Sequence, residues 1–250
     1  MNLKKILATV VTISMMLSSM GMVAFAETAT EVSTFADLKS AVEAGTNVKL
    51  TADITTDSAL SISGKTVSID LNGKTLKLGK GDNKFTDGSN ITINNGTINI
   101  DGTVVSDNAI ICLDEYEKTL VTTLTLNDVD VVGENYSSAY GVFYIGESSE
   151  LNVNGGNWLL KTDLHTAGGV FKADASGAVV NISGATMYFY NVRRGVTYAA
   201  TKVEDSTITI NGDEETSAKM EHGFNRSPLT IKNSEITLKN LSGRGITVQN

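Results

Sequence analysis

Apolar and polar residues alternate along most of this chain in short runs, and Asn, Asp or Gly interrupt them at intervals. The clearest run is Ile91-Thr92-Ile93-Asn94-Asn95-Gly96-Thr97-Ile98-Asn99-Ile100. Alternation with period two marks a half-buried strand. Asn and Gly tolerate positive φ and so suit a tight bend between two such strands. The pattern returns at Leu124-Thr125-Leu126-Asn127-Asp128, Leu151-Asn152-Val153-Asn154-Gly155, Val180-Asn181-Ile182-Ser183-Gly184 and Leu229-Thr230-Ile231-Lys232-Asn233. Looser copies begin at Val67 and Val203. The second apolar residues (Ile69, Ile93, Leu126, Val153, Ile182, Val203, Ile231) are 24, 33, 27, 29, 21 and 28 residues apart. A second marker, Gly followed by an apolar residue, recurs between the bends at Gly141, Gly169, Gly195, Gly223 and Gly245, with steps of 28, 26, 28 and 22.

Two markers with similar period and constant order predict a solenoid. Each lap reads strand, loop, strand, Asn/Gly bend, strand and a variable return loop. A lone lap cannot bury its Ile, Val and Leu. Laps stacked about 4.8 Å apart pair each strand with its equivalents and line the branched aliphatics up inside. The expected fold is therefore all-β, a parallel β-helix with three strands per lap and about seven laps. Asn95, Asp128, Gly155, Gly184, Asp205 and Asn233 are expected at the bends, as types that accept left-handed geometry.

The ends read differently. Residues 33–44 predict a helix, with Thr34 as cap, Asp37 at capping-box spacing and Gly45 as stop. Phe35, Leu38, Ala41 and Val42 share one face. Such a helix over residues 31–45 would cover the open first lap and blunt its unpaired edge. Residues 1–26 carry Lys4 and Lys5, an apolar stretch and Ala24-Phe25-Ala26, which reads as a secretory signal peptide. The expectation is a secreted or extracellular protein, associated with a cell wall or surface, whose β-helix domain spans 27–250. Gly245-Ile246-Thr247-Val248 opens another lap just before Asn250, so that end is expected to continue in a longer chain or to be covered by another.

Composition narrows the function. The formal charge is −8, and the signal segment holds two Lys and no acid, which leaves about −10 for the rest. That argues against nucleic acid or an anionic membrane as partner. No run after the signal segment is apolar and long enough to span a bilayer. Cys112, the single cysteine, sits in an apolar run and reads as a buried thiol. Pro228, the single proline, falls just before a strand, where a missing donor is tolerated. Two His and one Cys give no basis for a transition-metal site, and the loop at 79–84 with Asp82 and Asn83 lacks EF-hand spacing. No cofactor is expected.

The helix, Asn47-Val48-Lys49-Leu50, Ile69-Asp70-Leu71-Asn72-Gly73-Lys74-Thr75-Leu76 and the Asn-bend laps together resemble right-handed parallel β-helices of the pectate-lyase-like superfamily. More narrowly, they resemble secreted or surface β-helix proteins of Gram-positive bacteria. The resemblance covers residues 31–250 and implies a site on the outside of the Gly-apolar column. Aligned on the Gly, the preceding residues are Tyr140, Gly168, Arg194, His222 and Arg244. Two after it stand Phe143, Phe171, Thr197, Asn225 and Thr247; three after it stand Tyr144, Lys172, Tyr198, Arg226 and Val248. All four Arg of the chain (Arg193, Arg194, Arg226, Arg244) fall in this region.

The candidate ligand-binding residues are Tyr140, Arg194, Tyr198, His222, Arg226 and Arg244. Arg would fork to carboxylates and Tyr would stack on sugar rings, as suits an acidic polysaccharide or cell-surface glycan. The same cations also read as a solvated face paired with acids such as Glu221. Phe143, Phe171 and Trp158 read as core or as a sugar platform. The enzymes that resemble this fold use Asp or Glu at the site, and the aligned outward positions here hold neither. Any chemistry would fall to Arg194 or His222 as base. Three functions stay open: a non-catalytic glycan- or surface-binding protein, a polysaccharide lyase or hydrolase, and a structural stalk.

Overall fold

The computed structural model describes residues 29–102, 104–114, 120–161, 169–173, 177–192, 194–212, 222–241 and 245–247. The segment read as a signal peptide lies outside them, as do Arg193, Glu221 and Arg244. Every strand pairing among the described residues is parallel, and the strands inside the stack pair with their equivalents one lap below and one lap above. The chain is a parallel β-helix.

Three faces run along the solenoid. Face one carries Val48–Leu50, Thr66–Asp70, the first halves of Asn90–Ile100 and Thr123–Glu134, then Glu150–Asn154, Val179–Ser183, Ala200–Glu204 and Leu229–Lys232. Face two carries Ile54–Thr55, Thr75–Leu78, the second halves of the same two long strands, then Asn157–Lys161, Thr186–Tyr190, Thr207–Asn211 and Glu235–Lys239. Face three is an eight-stranded sheet, so the described residues make eight laps where the sequence suggested about seven. The extra lap is the first. Its bend, Thr51-Ala52-Asp53, has no residue at positive φ, unlike the bends of the later laps.

The predicted register of face one holds at every step. Ile69 pairs with Ile93, Ile93 with Leu126, Leu126 with Val153, Val153 with Ile182, Ile182 with Val203 and Val203 with Ile231. All are buried except Ile231 in the last lap, which is 46% exposed. A one-residue slip would turn this file outward, so burial itself holds the pairing. The six predicted bend residues all have positive φ, from 47° at Asp205 to 83° at Gly155. Beside them a ladder of side-chain amides climbs the edge: Asn127 Nδ2 donates to Asn94 Oδ1 at 2.8 Å, and Asn154 Nδ2 to Asn127 Oδ1 at 2.9 Å.

Helix α1 (Phe35–Ala44) caps the first lap. Asp37 N donates to the Thr34 hydroxyl at 3.2 Å, and Gly45 closes the helix at φ 89°. Leu38 and Val42 are fully buried, with Phe35 and Ala41 packed at the edge of the core. One strand precedes it: Thr30–Val32 pairs with Val48–Leu50, so the capping region holds β-structure that the helical reading of 31–45 overlooked. Only three residues long, that strand shows too little alternation to be read. Phe143, Phe171, Trp158 and Phe189 stack in the core, with ring centroids 5.6 to 6.1 Å apart. Burial of the first three decides against a sugar platform there. Cys112 is fully buried, as expected.

Candidate functional site

Face three supplies the candidate site, and parity decides which of its residues face outward. Strands alternate sides, and Phe143, Phe171, Val196 and Phe224 form one inward file. The neighbouring row, pointing away from that file, runs Ser61, Lys84, Cys112, Tyr144, Lys172, Thr197 and Asn225, with Cys112, Tyr144 and Thr197 buried. No carboxylate stands in it.

Two cation–aromatic pairs sit on or beside this row. Lys172 Nζ lies 3.8 Å from the centroid of the Tyr140 ring. Tyr144 meets Tyr140 edge-on, with centroids 6.2 Å apart. Cys112 and Ala109 pack beneath them as a small apolar cluster outside the main core. Further along, Arg226 Nη1 donates to the Tyr198 hydroxyl at 2.6 Å, and its guanidinium carbon lies 5.5 Å from that ring. Charge-assisted bonds of that length are among the stronger ones.

Tyr198 and Arg226 close successive strands of face three in left-handed backbone, at φ 64° and 52°. A bulky residue there is a true outlier, strained by order 1–3 kcal/mol. The strain places both side chains on the same outer corner. Between the two clusters, the Thr197 hydroxyl is buried with no hydrogen-bond partner.

The sequence-derived column is therefore partly reassembled. Arg194 and His222 do stand side by side in register, half-buried at the starts of their strands. Their parity is that of Val196 and Phe224, the inward file, which sets them on the corner before the sheet and not in the outward row. Tyr140 does not share their file. Phe171 pairs with Val196, one residue out of step with the Gly alignment, so Tyr140 belongs with Lys172 and Tyr144. The Gly marker misses this because Val142 and Val170, just after it, are buried in the approach to the strand. Arg244 lies outside the described residues. Lys172 and Tyr144 are the additions, and counting parity from Phe143 and Phe171 would have found them.

Other polar groups have structural partners. The Asn83 side chain is buried, accepting from Leu60 N and donating to the Ile110 carbonyl. Asp82 accepts from the Ser106 hydroxyl. On face one, Lys232 donates to Glu204 at 2.8 Å, and that bond holds the carboxyl below and the ammonium above their usual ranges. Among the described residues, no group of three or more His, Cys, Asp or Glu is placed to hold a metal ion. Compared with family models, curated proteins and solved structures, the chain finds no match in any of the three.

Proposed function

We propose that this is an exported, non-catalytic protein that binds an acidic polysaccharide along face three. The observation that carries the reading is the paired cation and aromatic on each side of Thr197: Lys172 over Tyr140, and Arg226 on Tyr198. Ammonium and guanidinium groups recognise carboxylates, the guanidinium with a fork geometry. Tyr rings offer flat apolar faces with a polar tip. In an acidic chain these cations draw an anionic polymer to one side of the molecule. Acid–base cleavage of glycosides uses paired carboxylates, and the outward row supplies none, which favours binding over turnover. Export rests on the leader-like residues 1–26.

The test is calorimetric titration of the mature chain with polygalacturonate oligomers, beside an assay for unsaturated or reducing products. Binding without product is expected, and it should weaken as salt rises. Lys172→Ala and Arg226→Ala should each weaken it about five- to tenfold, the scale of one partly desolvated cation contact. Product release would replace this reading with a lyase or hydrolase. Absence of binding would remove it.

A further inference from the structure

Face two departs from the apolar-in, polar-out alternation of face one. Its central outward row runs Lys77, Asn99, Val132, Leu159, Tyr188, Thr209 and Thr237. The outer members are polar, as a solvated face requires. The middle three are not. Leu159 is 43% exposed and Tyr188 37%. Beside Tyr188, on the same side of its strand, the Tyr190 ring lies 6.4 Å away and within 8° of parallel. Asn211 Nδ2 donates to the Tyr188 hydroxyl at 3.3 Å, which steadies the ring at the surface. A cleft of about 360 Å³ opens at the other end of the stripe, lined by Lys77, Asn99, Asp101, Val132, Glu134 and Leu159 among others.

The charges in this region have partners or neighbours within the chain, and Asp130, beside Val132, accepts from Asn157 N and Nδ2. Lys77 pairs with Asp101 at 2.7 Å, and Glu134 stands beside Lys161 in register. An exposed apolar stripe bordered by amides and by charges held within the chain suits a partner with apolar faces, many hydroxyls and no net charge. The C–H face of a pyranose ring supplies the first and packs on Tyr and Leu. Its hydroxyls suit Asn99, Asn211 and the cleft carboxylates. The platform repeats once per lap, about 4.8 Å, close to the advance per sugar of an extended β-linked chain.

We propose that the outward side of face two is a second binding platform, for an uncharged, extended β-linked polysaccharide running along the solenoid over Val132, Leu159 and Tyr188. It stands independently of the acidic-glycan reading of face three, with different residues and a different ligand class.

Titration of the mature chain with cellohexaose and xylohexaose tests it. At least one should bind, with little change on raising salt to about 0.5 M, because no charge pairing is involved. Tyr188→Ala should weaken binding about tenfold, Tyr188→Phe by less than about twofold. Leu159→Lys, which places a hydrated charge at an exposed position without opening the core, should also lose about tenfold. Lys172→Ala with Arg226→Ala should leave this binding unchanged while weakening polygalacturonate. No binding of either neutral hexamer overturns the proposal, as does binding that Leu159→Lys leaves intact. A dimer that Leu159→Lys dissociates, with no oligosaccharide bound by the monomer, would assign the stripe to a second copy of the chain and overturn it too.

Discussion

At every bend between faces one and two after the first, one or two left-handed residues turn the chain, and steric exclusion limits them to few types. Gly155 shows the constraint from both sides: its φ is 83°, and a Cβ there would meet Asp128 Oδ1 at 2.3 Å. Asn next to the bend adds a lateral bond. Asn127 both donates to Asn94 and accepts from Asn154. Asn127→Ala should remove both bonds and lower stability by about 1–2 kcal/mol at this half-buried edge. Equilibrium urea unfolding measures it, and an unchanged midpoint would mean the amide ladder contributes nothing. These positions were legible because few side chains tolerate the geometry. Tyr198 and Arg226 were named as candidates on charge and aromaticity, but their left-handed backbone was not foreseen, since neither is a residue type that favours it.

Helix α1 and the strands differ in how their ends are set. The helix ends are local: Thr34 satisfies Asp37 N, and Gly45 allows the reversal. Thr34→Ala should therefore cost about 1 kcal/mol, read as a lower thermal midpoint. A drop too small to measure would show that packing of Leu38 and Val42 alone holds the cap. Strand register is different, because it is a contest between faces. On face one the alternation is clean, and the register was readable. On face three, two adjacent buried residues follow the Gly in the middle laps, so the phase could not be told from the marker. On face two the warning was present in Trp158-Leu159-Leu160 and Met187-Tyr188-Phe189, where three apolar residues run together. Such a run within an alternating strand puts one apolar side chain outside.

The stack as a whole behaves as a one-dimensional object, in which each lap touches only its neighbours. Interior laps are covered on both sides, and the final described lap on one. Leu126 is fully buried in lap four, whereas Ile231 in the last lap is half exposed. Leu126→Ala should destabilise the protein by about 2–5 kcal/mol. Ile231→Ala should cost under about 1 kcal/mol, since much of its surface is already wet. Denaturant unfolding of the two variants side by side checks this. Equal losses would contradict a continuous core that fades toward the last lap.

Much of this protein follows from local rules written along the chain. Period-two alternation specifies strands, positive-φ residue types specify bends, and their constant order specifies laps stacked in parallel. Capping chemistry specifies the helix. The lateral partners of each side chain were decided elsewhere. Whether Tyr140 meets Arg194 or Lys172 turns on a one-residue phase, set by which apolar residue the core takes in. Whether Leu159 and Tyr188 form an outer stripe depends on laps 29 residues apart in sequence coming into register. The rise between laps, about 4.8 Å, brings distant residues nearer than most sequence neighbours on the same face. Surface sites on a solenoid are therefore assembled across laps, by stacking.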